Sequence, residues 1–369
     1  MGKIINFIQD VATPHNNVLL RALYGKLGFS LNVWYCQKHG SMYGWKVDLA
    51  NAIKPALFYR HNVIDLKFVF FVLKNKKIKN LIVGWANPSA KLLILLFFIL
   101  RKPYNMWIDL PDDTKKNNSV IMFFRERYYD MLKYSKVQVF CVGEIAVSYF
   151  KRRGFSAKKV INLPIFIDIP GKYFVTADEK SRIRQIYAVE KNAFFISAGS
   201  RLVYDKGYDL LIDAIASLDK KIKDKVKCVI VGKGEERANL QKRINFNSLQ
   251  RHICIVEWME IENFNLFIAA SDVFVHPARR DAYGGTIYAL AVGVPVIGSA
   301  SAGAALDRIK HGENGFLVHD NSVCEYAKYL EELFYLSSER KEQFGLAAIN
   351  EAKKWPAERG VEILLNNLI

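Results

Sequence analysis

The segment Ser197–Leu211, SAGSRLVYDKGYDLL, carries two cations, Arg201 and Lys206, in a loop between a strand-like run that ends at Gly199 and a helical pattern opened by Gly207. Open α/β folds bind ligands at the carboxyl edge of the sheet, where an arginine fork and a mobile ammonium suit the oxygens of a diphosphate. Spacing alone is equally compatible with two solvated loop cations. A second segment, Val275–Gly298, VHPARRDAYGGTIYALAVGVPVIG, sets Gly284 and Gly285 before a helix-like run starting at Thr286. At such a junction the backbone N–H groups and the positive end of the helix dipole can receive an anion with no side chain in the way and no metal. An ordinary glycine-bearing turn has the same pattern. Asp281, just before the glycines, can accept hydrogen bonds from sugar hydroxyls, or pair with Arg279 or Arg280.

Short β-branched and aromatic runs alternate with longer helical patterns, the signature of parallel sheets covered by helices. In the front half the expected strands are Ile4–Val11, Leu31–Gln37, Asn80–Trp85, Asn105–Leu110 and Val137–Val142. In the back half they are Ala193–Gly199, Lys227–Gly232, Ile253–Trp258, Asp272–His276, Val294–Gly298 and Gly315–Val318, with helices such as Tyr208–Leu218, Glu235–Ile244 and Asn263–Ala270 between them. Two prolines and a glycine in INLPIFIDIPGK, Ile161–Lys172, mark the boundary. The chain is thus expected to form two Rossmann-like α/β domains, 1–168 and 169–350, with parallel sheets facing a cleft, and a helical tail, 351–369, that packs back toward the first domain.

Front-half candidates lie at strand ends. After the first strand comes TPHNNVLLRAL, where Thr13, Asn16 or Asn17 can cap a helix and His15 and Asn16 can line the cleft near donor phosphate or acceptor. DLPDD places Asp109, Asp112 and Asp113 at another sheet edge; Asp109 can orient an acceptor hydroxyl, or the three can simply favour a helix start. Asn87, in GWANP, can serve as a further acceptor contact. Gly232-Lys-Gly234 lacks the third glycine of a dinucleotide fingerprint and reads as a strand-to-helix turn.

Of the 369 residues 51% are apolar, enough for a full core, which excludes disordered, collagenous and disulfide-scaffold classes. Cys36, Cys141, Cys228, Cys254 and Cys324 form no C-x-x-C pair, so neither a disulfide framework nor a zinc site is expected and reduced cytosol fits. MGKIINFIQDV reads as an opening strand rather than an export signal. Leu92–Leu100 is too short to cross a bilayer, which takes about 20 apolar residues. The net charge of +17 lies almost wholly in residues 1–170, which carry 26 Lys+Arg against 10 Asp+Glu. Clusters such as Lys74–Lys79, Lys115–Lys116, Arg125–Arg127, Lys151–Arg153 and Lys158–Lys159 sit beside Phe68–Phe71 and Phe123–Phe124. This favours attraction to an anionic membrane surface over a merely solvated face. No nucleic-acid-binding module is recognisable.

The order strand–G-x-R-x(4)-K-G–helix, then VGKGEERANL, SDVFVHPARRDAYGG…ALAVGVPVIGS and HGENGFLV resembles the donor domain of glycosyltransferase family four, over roughly residues 190–320. The resemblance implies a GT-B fold and a retaining transferase that moves a sugar from a nucleotide-sugar donor to a glycan or lipid-linked saccharide acceptor. Its setting would be bacterial lipopolysaccharide or other surface polysaccharide biosynthesis, at the cytoplasmic face of the plasma membrane. It implies that Arg201 and Lys206 hold the donor diphosphate, that Asp281 contacts the donor sugar, and that Gly284, Gly285 and Thr286 receive phosphate through the backbone. Gly199 and Gly232 would border the nucleotide. The family's second glutamate, which holds the ribose, falls on Tyr288 or Ala289, neither a carboxylate. At His15 and Asn16 only the position carries over, because the family's loop there is glycine-rich. No Asp-x-Asp pair occurs, and neither a metal nor another cofactor is expected. A GT-B nucleotide-sugar epimerase and a non-catalytic glycan- or nucleic-acid-binding protein are the alternatives.

Overall fold

Runs of Val, Ile, Phe and Tyr bounded by turn residues build two all-parallel sheets in this computed structural model, which describes residues 4–36, 56–75, 77–84, 87–111, 119–167 and 175–369. The first sheet contains β1 (Ile5–Gln9), β2 (Leu31–Tyr35), β3 (Ala56–Phe58), β4 (Lys79–Val83), β5 (Tyr104–Ile108), β6 (Val137–Cys141) and β7 (Val160–Asn162), in the order β3-β2-β1-β4-β5-β6-β7. The second contains β8 (Phe194–Gly199), β9 (Val226–Val231), β10 (Ile253–Val256), β11 (Val273–His276), β12 (Val296–Ser299) and β13 (Gly315–Val318), in the order β10-β9-β8-β11-β12-β13. All eleven expected strands form, with every end within two residues of its expected position, although Gln37 and Trp85 lie outside the described residues. The three-residue strands β3 and β7 escape sequence reading because each sits at a sheet edge with too few residues for a period to register.

The chain divides into two compact units, Met1–Ile167 with Pro356–Ile369, and Asp168–Trp355. In the first unit, strand residues Ile8, Ile82, Met106 and Val139 share one core with α2 (Leu66–Lys74), α3 (Pro88–Ile99), α4 (Ser119–Tyr134) and α5 (Gly143–Arg152). Helices α1 (Pro14–Leu27) and α15 (Ala357–Asn367) pack on each other and contribute nothing to that core. Gly360 makes the contact possible, since a Cβ there would stand 2.9 Å from Leu19 of α1 and 2.4 Å from the Phe166 ring. Polar pairing fixes the sheet register from within. Asn6 donates to Asn80 (2.8 Å) and accepts from Asn32 (3.1 Å), both its direct neighbours across the ladder. Asn105 donates to the Ile369 carbonyl (3.3 Å) and accepts from the Ile369 amide (3.0 Å), so the last residues satisfy a buried amide and are held by it.

In the second unit, one core lies between the sheet and α7 (Tyr208–Ser217), α9 (Arg237–Phe246) and α13 (Val323–Tyr335). A second, on the opposite face, takes in α10 (Ile261–Ala269) and α11 (Thr286–Ala291). Successive chain crossovers run outward in opposite directions from β8 and β11, which are neighbours. Loops leaving two such strands splay apart and open a crevice at the carboxyl edge. The segments carrying Arg201 and Lys206, and Asp281 with Gly284, are those two loops.

Candidate active site

Loop geometry in the second unit is set by close backbone approaches. After β8 the chain makes a short 3-10 turn, Tyr204–Lys206, and Gly207 turns it into α7 with φ +65°. A Cβ at Gly207 would meet the Pro277 carbonyl oxygen at 2.0 Å, so this turn lies directly on the loop after β11. Gly207→Ala is therefore expected to destabilise the protein by about 2 kcal/mol, from left-handed backbone plus overpacking, measured as a shifted urea midpoint with unchanged m. The Arg280 amide donates to the Asp205 carbonyl (3.1 Å). Arg279 forms a two-pronged pair with Asp209 (2.7 and 2.6 Å) and lies over the Tyr204 ring, 4.2 Å from its centre. Asp281 is pinned from the other side, where it bridges to Ala302 and its carbonyl accepts from the Gly303 amide (3.0 Å).

These constraints bring four side chains together. The Lys206 ammonium donates to Asp281 Oδ2, His276 Nε2 lies 2.9 Å from the same oxygen, and His276 Nδ1 lies 2.9 Å from Thr286 Oγ1. Lys206, His276 and Thr286 are all buried, and the Asp281 side chain is 10% exposed. Burial alone would push the Asp281 pKa up. The Lys206 charge and the His276 hydrogen bond outweigh it and hold the carboxyl well below its ordinary range. Gly284 closes over this group: a Cβ there would come within 2.8 Å of both Asp281 Oδ2 and His276 Cε1. Gly285 packs on Phe274, where a Cβ would come within 2.3 Å of the ring, and caps α11 without any side-chain hydrogen bond of its own.

The sequence expectations sort themselves on this geometry. Lys206 is not a solvated loop cation, and Asp281 pairs with it and His276 rather than with Arg279, which Asp209 claims. Arg201 is exposed on the same loop. Gly199 ends β8 and Gly232 follows β9, its neighbour, and each is a glycine for packing: a Cβ would stand 2.6 Å from Phe264 at the first and 2.0 Å from the Ser200 carbonyl oxygen at the second. Tyr288 is half-buried against the second core. Spacing along the sequence does not single out His276, although a histidine ending a strand five positions before Asp281 is the available signal.

His15, Asn16 and Asp109 lie in the first unit. Thr13 caps α1 by accepting from the Asn16 amide (3.1 Å), while the Asn16 side chain donates to Gln9 Oε1 (2.8 Å) and His15 lies in the first turn. Asp109, exposed just past β5, accepts from the next amide, Leu110 (2.9 Å). Asn87 is buried and caps α3 by accepting from the Ser89 amide (2.8 Å), so its oxygen is not presented to a ligand. Asp112 and Asp113 lie outside the described residues. Cys36, Cys141, Cys228, Cys254 and Cys324 are all free thiols.

Two parallel Rossmann-like sheets, one in each unit, give the chain the GT-B fold of the solved structures described below. Residues 179–351, a little under half of the chain, match the family described as Glycosyl transferases group 1. A relative described as an uncharacterized glycosyltransferase of Methanocaldococcus jannaschii is 23% identical over 80% of this chain and 69% of its own length. A GDP-mannose-dependent phosphatidylinositol monomannoside mannosyltransferase of Mycolicibacterium smegmatis is 30% identical over 40% of each chain. Among solved structures, HepE of Anabaena in complex with UDP superposes with a TM-score of 0.76 at 20% identity, over 99% of this chain and all of that one. WaaG, a glycosyltransferase involved in lipopolysaccharide biosynthesis, superposes with a TM-score of 0.68 at 14% identity, over 98% of this chain and 99% of that one.

Proposed function

We propose that this protein is a retaining, family-four glycosyltransferase that moves a sugar from a nucleotide-sugar donor to a glycan or lipid-linked saccharide acceptor, in the assembly of a bacterial surface polysaccharide or lipopolysaccharide. The observation that carries this reading is the meeting of Lys206, Asp281, His276 and Thr286 beside Gly284, at the strand-order reversal of the second sheet. The UDP and UDP-glucose complexes of the Anabaena structural relative and the GDP-mannose dependence of the mycobacterial relative support a nucleotide-sugar donor.

In this reading the donor diphosphate lies over the loop after β8. Lys206 has three N–H donors and commits one of them to Asp281, leaving others for phosphate oxygens. Arg201 supplies the planar fork and the Gly284–Thr286 backbone adds N–H groups. Asp281 meets both Lys206 and His276 through Oδ2, so Oδ1 is the atom assigned to a donor-sugar hydroxyl. As the bond from the anomeric carbon to the diphosphate breaks, its electron pair goes to the leaving oxygen, whose growing charge these donors stabilise. That oxygen takes the proton from the acceptor hydroxyl as the new bond forms on the same face, which preserves configuration. Acceptor recognition falls to the first unit, with Asp109 as the residue that orients the hydroxyl. Side-chain cations meet the diphosphate charge here, so the chemistry asks for no metal.

Calorimetric titration with UDP, GDP, CDP and dTDP, with and without EDTA, tests the donor site. One nucleoside diphosphate is expected to bind with micromolar affinity, unchanged by the chelator. Failure of all four, or strict dependence on manganese or magnesium, overturns the assignment. Product mass from the matching nucleotide-sugars and acceptors then separates transfer from epimerisation.

A further inference from the structure

Large apolar side chains are exposed unevenly in this molecule. In the second unit those described are scattered singly, such as Ile186, Phe246, Leu306 and Leu346. In the first unit they gather on three consecutive helices that share one face of the sheet. Helix α2 buries Phe68, Val69 and Val72 yet turns Leu66, Phe70 and Phe71 outward; α3 exposes Leu95, Phe98 and Ile99. Helix α4 opens with Val120–Phe124, five consecutive apolar residues, all exposed, with Phe124 at 67%. Ile64, Leu92, Leu95, Tyr128 and Met131 line a groove that joins α4 to α3. A patch of this kind on a folded domain marks an interaction surface.

Charge identifies the partner. Lys67, Lys74, Lys91, Arg125, Arg127 and Lys133 are interleaved with these apolar residues, and Arg101 and Lys102 follow α3 directly. The acids on the same helices are already engaged: Glu126 pairs with Arg153 (2.6 Å) and Asp130 with Arg127 (3.6 Å), while Asp65 caps α2. Arg127 lies over the Phe123 ring (5.2 Å) and Lys74 over that of Phe70 (6.0 Å), so the cationic ends are carried beside the rings that would enter an apolar phase. Two copies facing each other through this surface would bring like charges together. An anionic bilayer accepts both the rings and the cations.

We infer that the α2–α3–α4 face docks on an anionic lipid bilayer, with Val120–Phe124 as the inserted wedge. Because α4 follows β5 in a parallel sheet, it starts at the carboxyl edge, where Asp109 lies, and the docked edge is the one assigned to the acceptor. The inference sharpens the membrane location expected from the basic front half but draws on the first unit alone, so it and the donor assignment fail separately.

Flotation of the full chain with vesicles of phosphatidylcholine and phosphatidylglycerol, 1:1, tests it. The protein is expected to float with these vesicles and far less with phosphatidylcholine alone or at high salt. F123S/F124S is expected to lower the partition coefficient by about tenfold or more, since two ring burials are lost. Both rings are exposed, so the thermal melt and nucleoside diphosphate binding should not move. A wild-type chain that stays at the bottom of the gradient, or a variant that floats equally well, overturns the inference. So does sedimentation analysis showing a dimer that F123S/F124S dissociates, because the face would then belong to a second copy.

Discussion

Arg201→Ala is expected to lower kcat of sugar transfer by about 10²–10³-fold, the usual effect of removing one preorganised donor to developing charge. Its side chain is exposed, so the thermal melt should stay within about 0.5 kcal/mol of the parent. A selective effect on the chemical step requires kcat and kcat/KM to fall together while nucleoside diphosphate affinity falls less. Lysine at 201 is expected to rescue only part of the rate, because a point charge cannot reproduce a two-pronged contact. Undiminished transfer by Arg201→Ala would remove the diphosphate clamp.

Lys206 behaves differently, and the difference comes from burial. Lys206→Met strands Asp281 as an uncompensated carboxylate, whose only remaining partner in the cluster is His276, and such a change costs about 3–5 kcal/mol. Lys206→Met/Asp281→Asn removes both charges, and most of that stability is expected to return while transfer stays abolished. The sign of the pH dependence follows from the depressed Asp281 pKa. The carboxylate's contribution in the parent is full above the ordinary aspartate value of 3.8 and is lost as pH falls below it. The stability gap between parent and double variant, measured by urea unfolding, should therefore shrink as pH falls below the ordinary aspartate value. A Lys206→Met protein as stable as the parent would mean that the ion pair contributes nothing.

The alternation of apolar runs with helical patterns was enough to recover eleven of the strands, because two faces buried by helices leave a continuous apolar signature in each strand. Gly207, Gly284 and Gly285 were also legible, since turns and close approaches demand glycine locally. The partner of Asp281 was not. Arg279 and Arg280 are nearer in sequence, yet Arg279 is drawn to Asp209, and Lys206, 75 residues away, takes the carboxylate. The tail was expected to return from residue 351, and its return begins at Pro356; Glu351 stays with the second unit, where it accepts from Trp355 Nε1 (3.1 Å) and from Lys354 (3.0 Å).

By itself the sequence determined the two-domain parallel α/β architecture, the loops that bear the candidate chemistry and the charge asymmetry of the front half, all of which follow from local pattern and composition. Only the tertiary structure decided that Lys206 is half of a buried ion pair, that His276 completes the cluster, and that the exposed rings of three helices share one face. Strand order and helix packing bring distant residues within reach of one another, and spacing along the chain carries no record of which buried charge will find which partner.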